Sequence, residues 1–429
     1  MLSTAFKTMK KPTDRMDARE IFRRCRTQIV LLTLAAALPT NVFGLGVLVP
    51  NQGAAAIARG NAFVATADDP SSIFYNPAGI SQIPGNDVQV GALNYLGIDV
   101  NYDSAVNGHT STDTEVLTIP QIYWTYTPKD SRVSYGLGIY SPFGLAVNWP
   151  KNSPLRSLAI DSKLTYITIN PVVSWQATKT LSLAAGPAFS YGDIHFDRGL
   201  TSATDFYDFD GKDWSIGFTL GALWKPNEHW AFGVDYRFAG NMEFSGESHY
   251  RPAPAGPVLH TGTTAGLEFP SAVSFGASYR PNEKWNLEFD VENIDWNIGT
   301  LNLAGTKNIF GFNLALPLNW HPSWQYKLGV TRQLGDGWFV SAGYFFSSDT
   351  TSESNFTPAV PDTELHVGSL GFGHNGARWH WALAGQIIAG PERTIRAGAG
   401  NTDPFTGVSA AGKYSIFVPA VTVSVGYRF

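Results

Sequence analysis

The stretch FVPAVTVSVGYRF, residues 417–429, decides the fold class of this chain. Its odd-numbered positions carry Phe, Pro, Val and Tyr, whereas its even-numbered positions are mostly small or polar. Successive side chains of a β-strand point to opposite faces, so this pattern predicts a strand with one apolar face. Alternation alone fits both a two-sheet sandwich and a barrel.

The same period of two recurs upstream, and regularly placed turns divide it into strands. Trp214–Trp224 and Trp285–Glu292 alternate in the same way. Short polar segments with turn-forming residues occur at 128–131, 177–179, 225–228, 280–283, 334–337 and 374–376. Longer connections lie between them, and short turns on one side with long loops on the other are typical of outer-membrane barrels. Residues 87–429 are therefore predicted to form an all-β, 14-stranded antiparallel transmembrane β-barrel.

Composition excludes several other classes of protein. Charged residues are 15 % of the 429 residues, against about 25 % in typical soluble domains, and aromatic residues are 13 %. A net charge of −5 provides no basic surplus for nucleic acid, and a mean hydropathy of −0.08 does not fit a bundle of membrane helices. Glu288, Asp290 and Glu292 fall on the polar face of a predicted strand, so we expect them to pair with opposing strands inside the barrel.

Residues 1–44 are predicted to be a secretory signal peptide. An apolar run from Ile29 to Leu38 follows several arginines, and small residues precede a cleavage point after Gly44. The run is too short to span about 30 Å of hydrocarbon as a helix, and the alternative interpretation is a short buried helix. The single cysteine, Cys25, precedes the apolar run, so the mature chain is expected to hold no disulfide and no thiol nucleophile.

Residues 45–86 lack the alternation of the rest of the chain and are predicted to fill the barrel. They are rich in Ala, Gly and Asn, as in Gly53–Ala56 and Asn76–Gly79. Small residues allow close packing in a confined space, and a barrel of about fourteen strands has a lumen wider than its own side chains can fill. We therefore expect an N-terminal hatch, or plug, inside the lumen.

Three motifs in this N-terminal segment resemble the hatch of a known family. Arg59–Ala62, Ala67–Asp69 and Asn76–Ala78 are similar in order and spacing to the hatch of FadL-type outer-membrane transporters of long-chain fatty acids and aromatic hydrocarbons. Weaker matches, such as Ser141–Leu145, extend through the chain. The resemblance implies a protein in the outer membrane of a Gram-negative bacterium that takes up hydrophobic compounds. The alternative function is a non-selective diffusion porin.

The resemblance also implies roles for particular residues. Those of the hatch and gate are Asn76, Pro77 and Ala78, and those of a lateral opening in an interrupted third strand are Pro142, Phe143 and Gly144. The ligand-binding candidates are Arg198, Phe310, Phe312, Leu314 and Leu316. A second basic position of the family falls at Leu316 or an apolar neighbour, which favours neutral ligands over fatty acids. A lone buried arginine is costly, so Arg198 is expected to pair with an acid or to reach solvent.

No motif in the sequence indicates catalysis. The nine histidines show no metal-binding spacing, and no nucleophile elbow occurs. We predict a protein that is not an enzyme, with no metal and no cofactor; a barrel enzyme with His366 and carboxylates at the rim is a weaker alternative. The expected partners are a hydrophobic ligand, outer-membrane lipid and lipopolysaccharide, and the barrel assembly machinery through Phe429. Nucleic acid is not expected.

Overall fold

The computed structural model describes residues 47–114, 116–202, 204–252 and 256–429. The predicted signal peptide, residues 1–44, and the first two residues of the predicted hatch lie outside these ranges and stay predictions. Among the residues described, no helix is both long enough and apolar enough to cross a lipid bilayer.

Strand segments make up most of the described chain. In order they are β1 (Gly85–Tyr95), β2 (Asp99–Ser104), β3 (Gly108–Ser111), β4 (Leu117–Thr127), β5 (Val133–Tyr140), β6 (Gly144–Asn148), β7 (Asp161–Gln176), β8 (Leu181–Arg198), β9 (Phe206–Trp224), β10 (Trp230–Phe238), β11 (Met242–Arg251), β12 (Leu259–Leu267), β13 (Ser271–Asn282), β14 (Trp285–Asp295), β15 (Thr300–Ala304), β16 (Leu314–Pro317), β17 (Ser323–Gly335), β18 (Trp338–Ser347), β19 (Leu365–Asn375), β20 (Trp379–Ile395) and β21 (Gly412–Arg428).

These segments join into one closed antiparallel barrel of fourteen strands, which confirms the predicted fold class. Seven of the fourteen strands each consist of two consecutive segments, because both segments of a pair run beside the same neighbouring strand. These pairs are β1–β2, β3–β4, β5–β6, β10–β11, β12–β13, β14–β15 and β16–β17. The barrel closes where β1 pairs with β21, from Asp87 opposite Arg428 to Tyr95 opposite Ala420. Closure leaves no free strand edge, which lipid would not satisfy.

The six predicted short turns all connect neighbouring strands at one end of the barrel. Asp130 and Asp336 adopt positive φ angles of 60° and 49° in two of these turns, a conformation that Asp tolerates better than most residues. The other end carries longer connections, including residues 149–160, 348–364 and 396–411. In outer-membrane barrels the short turns are periplasmic and the long loops extracellular.

Residues 417–428 form most of β21, and their two faces are as expected. Phe417 and Val423 are exposed at 47 % and 41 %, whereas Val418 and Thr422 are fully buried. Large apolar side chains are exposed in the same alternating manner on other strands, as at Ile216 and Phe275. A water-soluble surface would not carry this much apolar area, so the outward face fits a lipid environment.

The N-terminal segment, residues 47–84, touches strands on several sides of the barrel. It contains helix α1 (Ala54–Ala58), helix α2 (Ser72–Tyr75) and a 3₁₀-helix, Pro77–Gln82. Helix α1 contacts β18 to β21, whereas the 3₁₀-helix contacts β4, β5, β7, β8 and β9. The first barrel strand begins at Gly85, two residues before the predicted boundary. The division into hatch and barrel domains stays a prediction.

Candidate functional site

The third barrel strand is interrupted between β5 and β6, at the place indicated by the Pro142–Gly144 motif. Segment β5 pairs with both neighbours, β4 and β7, but β6 pairs with β7 alone. The pairing of β4 with β5 is confined to Ile122–Tyr126, so within the described ranges the wall has a gap between the first part of β4 and β6. Proline lacks the N–H that a strand interior needs, which accounts for the break.

The beginning of the N-terminal segment lies against this interruption. Leu48 forms an antiparallel bridge with Phe143. The N–H of Val49 donates to the Pro142 carbonyl at 2.8 Å, and the N–H of Gly144 donates to the Val47 carbonyl at 2.9 Å. Backbone groups that the barrel wall leaves unpaired are thus satisfied by residues 47–49, which occupy the position of a strand neighbour.

Asn76 fixes a different part of the segment. It is fully buried, and its side-chain amide donates to the carbonyls of Val64 at 2.8 Å and Ala222 at 2.9 Å. Its side-chain oxygen accepts from the N–H of Ala78 at 3.1 Å, which caps the 3₁₀-helix that begins at Pro77. These hydrogen bonds join the segment to itself and to β9, not to the Pro142–Gly144 interruption.

An apolar cavity, called here the first chamber, lies among the strands that lead to the long loops. It has a volume of about 80 Å³ and is lined by Leu145, Leu164, Phe196, Phe209, Leu316 and Trp320, among others. Lys163, which also lines it, pairs with Asp161 at 2.5 Å. Of the sequence candidates, Leu316 lines this chamber, and Leu314 is buried in the surrounding apolar cluster.

A second chamber of about 40 Å³ lies beside the strand interruption. Pro142 and Phe143 line it together with Tyr140, Tyr166 and Phe74. Val47 lines the first chamber and its neighbour Leu48 lines the second, so the start of the N-terminal segment lies between the two.

Within the described part of the chain, Arg237 is the one charged side chain that lines the second chamber. It pairs with Glu292 and, at 2.6 Å, with Asp235, and its guanidinium lies 4.4 Å from the centre of the Phe74 ring. Sequence reasoning missed this residue, because Asp235-Tyr236-Arg237 gives no sign of where its partners lie. The arginine's charge is therefore already paired with acids of the barrel wall.

The remaining ligand-binding candidates lie apart from both chambers. Arg198 forms an ion pair with Asp403, as the cost of a buried lone arginine suggested. Phe310 makes edge contacts with Tyr207 and Tyr250, with ring centres 5.9 and 5.1 Å apart. Phe312 is 46 % exposed and stacks on Phe405 of another long connection.

Asp205 stabilises the extracellular connection between β8 and β9 through hydrogen bonds. Its buried carboxylate accepts the N–H groups of Thr201 at 2.6 Å and Ser202 at 3.2 Å, and it lies 3.5 Å from Arg156. Burial favours the neutral acid, but the hydrogen bonds from Thr201 and Ser202 outweigh it and lower the pKa of Asp205. A lowered carboxyl pKa stabilises the folded loop above the ordinary aspartate pKa, and this contribution is lost as pH falls through the lowered value.

Among the residues that the structure describes, one group of metal-ligating side chains comes together outside the chambers. Asp208, Asp210 and His249 place ligand atoms within 4.8 Å of one another. These residues lie on two paired strands, β9 and β11, so no linear sequence motif indicates the group. Asp208 already accepts a hydrogen bond from Nδ1 of His249 at 2.9 Å if that nitrogen carries the proton.

Comparison with known proteins identifies the family to which this barrel belongs. The sequence profile described as outer membrane protein transport protein (OMPP1/FadL/TodX) matches residues 35–399. The chain belongs to the OMPP1/FadL/TodX family. As a member of this family it is an outer-membrane transport barrel for hydrophobic compounds and not an enzyme.

Relatives and solved structures agree with membership of the OMPP1/FadL/TodX family. A Neisseria meningitidis serogroup B protein named as an outer membrane protein is 25 % identical over 390 residues, covering 78 % of this chain and 83 % of that protein. A Pseudomonas aeruginosa FadL homologue has a TM-score of 0.78 at 20 % identity, over 90 % of this chain and all of that one. The Pseudomonas putida toluene transporter TodX has a TM-score of 0.69 at 17 % identity, over 91 % of this chain and all of that one. At these identities the two solved structures support the fold.

Proposed function

We propose that this protein takes up neutral hydrophobic compounds across the outer membrane and releases them sideways through the interrupted third strand. The observation that carries the proposal is the pair of apolar chambers on either side of Val47 and Leu48, the second of which borders the interruption. An apolar molecule gains by leaving water for such chambers, at roughly 25 cal/mol per Å² of surface buried.

The charges around the chambers support a neutral ligand over a fatty acid. Lys163 is paired with Asp161, and Arg237 is paired with Asp235 and Glu292. A carboxylate held in an apolar site needs a free cation or several donors, because an unpaired buried charge is costly. Fatty acids are the alternative ligands. TodX, one of the similar structures, is described as a toluene transporter.

We assign the remaining parts of the route on the same grounds. Phe310, Phe312 and Phe405 form an aromatic surface among the long connections, a suitable place for first contact with a ligand. Residues 47–84 act as the hatch, with Asn76, Pro77 and Ala78 setting the shape of its second half. Residues 47–49 cover the interruption and must separate from it for lateral release. Contacts with lipopolysaccharide, and recognition of Phe429 by the barrel assembly machinery, stay predictions.

A ligand panel with a matched pair of variants tests this function. Purified protein is titrated with toluene, decane and oleate, and uptake of the same compounds is measured in cells. Leu316→Trp fills the first chamber and should reduce binding of toluene about tenfold or more, since it removes the space that the ligand occupies. Leu334→Trp, in an exposed periplasmic turn of the same barrel strand, is the control. Preference for oleate, or equal binding by both variants, would contradict the proposal.

A further inference from the structure

Three carboxylates follow one another along the inward face of β14. Glu288, Asp290 and Glu292 alternate with Phe289 and Val291, and their exposures are 3 %, 0 % and 2 %. Three buried acids within five residues would destabilise the barrel unless each has partners. The partners of these acids therefore show which part of the molecule β14 binds.

The expected pairing with neighbouring strands holds for Glu292 but not for the other two acids. Glu292 pairs with Arg237 and Lys327, which lie on barrel strands. Asp290 instead accepts the backbone N–H groups of Phe63 at 2.8 Å and Val64 at 3.0 Å. The N-terminal segment, and not the wall, thus supplies its hydrogen-bond donors.

Glu288 continues the same arrangement along the chain. It accepts the N–H of Ala65 at 2.7 Å, the N–H of Thr66 at 3.0 Å and the Thr66 hydroxyl, and it pairs with Arg59 at 3.3 Å. Four consecutive backbone N–H groups, residues 63–66, therefore point at two carboxylates of one strand. Hydrogen bonds to an ionised acceptor are roughly twice as strong as neutral ones.

The neighbouring strands allow residues 63–66 to approach the barrel wall closely. Gly233 of β10 has no side chain, and a Cβ there would lie 2.1 Å from the Val64 carbonyl oxygen. Asn286 donates to the Thr66 hydroxyl at 2.8 Å and accepts from Ser278 at 2.7 Å. The start of the segment differs from residues 63–66 in its contacts, because residues 47–49 bind the wall through backbone groups and not through acidic side chains.

We infer that Glu288 and Asp290 are positioning residues that keep residues 59–66 fixed to β14 while ligand passes. The hydrogen bonds that these two side chains accept hold the middle of the N-terminal segment on the wall and keep the lumen closed to polar solutes. A fixed position during passage of the ligand rests on the proposed transport function, whereas closure of the lumen does not.

Removal of the two carboxylates tests the anchor without any transported ligand. Glu288→Gln with Asp290→Asn keeps the size of both side chains but removes both carboxylates. At Glu288, where both oxygens accept hydrogen bonds, the new amide NH2 group meets an N–H of the segment. The open fraction of the segment should rise about tenfold or more, given the size of hydrogen bonds to charged groups. In planar bilayers this appears as increased ion conductance, and in solution as faster trypsin cleavage after Arg59.

Asp87→Asn is the matched control for these substitutions. Asp87 is also fully buried on the wall, but its partners are His380 and Arg428 of the barrel, at 2.8 and 3.1 Å. Conductance and cleavage in Asp87→Asn should stay near the wild-type values. If the Glu288 and Asp290 variant matches this control, the anchor is refuted. The folded state of each barrel is checked by its mobility on unheated gels.

A disulfide tests whether the anchored loop moves during uptake. The side-chain oxygens of Thr66 and Ser278 lie 3.4 Å apart, and Cys25 is the one cysteine of the sequence, so Thr66→Cys with Ser278→Cys offers a single new pair. Uptake of toluene by the oxidised protein should stay within about twofold of uptake by the reduced protein. A disulfide does not restrict a loop that already stays in place during transport. Loss of uptake on oxidation, restored by reductant, would overturn the inference.

Failure of the transport function would be distinguishable from failure of the anchor. A wild-type protein that takes up none of the test compounds contradicts the proposed function. The conductance and cleavage measurements still decide whether Glu288 and Asp290 hold residues 59–66, since neither requires a ligand.

Discussion

Among individual residues, Arg198 best shows how a side chain's partner changes its expected role. Its guanidinium pairs with Asp403, whose other carboxylate oxygen accepts the N–H groups of Phe405 and Thr406. The pair joins the end of β8 to a connection 205 residues away. Because the carboxylate of Asp403 already balances its charge, Arg198 is poorly suited to bind a ligand carboxylate.

We therefore predict that Arg198→Ala weakens oleate and toluene binding equally. Breaking a buried ion pair costs about 3–5 kcal/mol, because the remaining charge is left without a partner. The midpoint of urea unfolding should fall, and Arg198→Ala with Asp403→Asn should recover part of the loss. A selective loss of oleate binding would instead make Arg198 a ligand-binding residue.

Among the elements, the fit of the N-terminal segment against strand β18 depends on the absence of a side chain. A Cβ at Gly343 would lie 2.0 Å from the carbonyl carbon of Arg59 and 2.1 Å from the nitrogen of Gly60. Backbone atoms cannot move aside as the end of a flexible side chain can. The segment and the strand must therefore separate if a methyl group is added.

Gly343→Ala should therefore loosen the segment while the barrel stays folded. Overpacking of this kind costs about 1–3 kcal/mol, so trypsin cleavage after Arg59 should accelerate about tenfold. Gly368→Ala, on the neighbouring strand β19, adds its methyl group to open space and is the control. Equal cleavage in the two variants would show that the segment does not need this close contact.

For the whole molecule, the relation between segment and barrel separates a transporter from a diffusion porin. A barrel of fourteen strands without internal structure would hold a lumen open to water. Here helix α1 contacts β18 to β21 and the 3₁₀-helix contacts strands between β4 and β9. Strands far apart around the barrel are thus bridged by residues 47–84.

We predict that the intact protein passes little ion current in planar bilayers. Deletion of residues 47–84 should produce steady channels, because the polar inner wall is then exposed to water along its length. Large steady conductance from the intact protein would favour the porin alternative. Current that is small in both proteins would show that the barrel loops alone close the lumen.

Local patterns in the sequence were enough to predict the barrel. Alternation in residues 417–429 depends on the pleat of a single strand, and turns such as 128–131 and 334–337 depend on a few neighbouring residues. The break at Pro142–Gly144 was also predictable, since it follows from proline chemistry and the family resemblance. Each of these signals is contained in a short window of sequence.

The contacts that define the candidate site were decided by the tertiary structure. Glu288 and Asp290 bind residues 63–66, which lie more than 220 positions earlier in the chain, and Arg237 of β10 meets Glu292 of β14 although β13 lies between these two strands. No local pattern encodes such partners, because strand register and barrel closure bring them together. The sequence by itself determined which residues form the wall and its turns. The folded barrel decided which inward-facing acids accept hydrogen bonds from the segment and which apolar residues line the chambers, because these contacts depend on neighbours that only closure supplies.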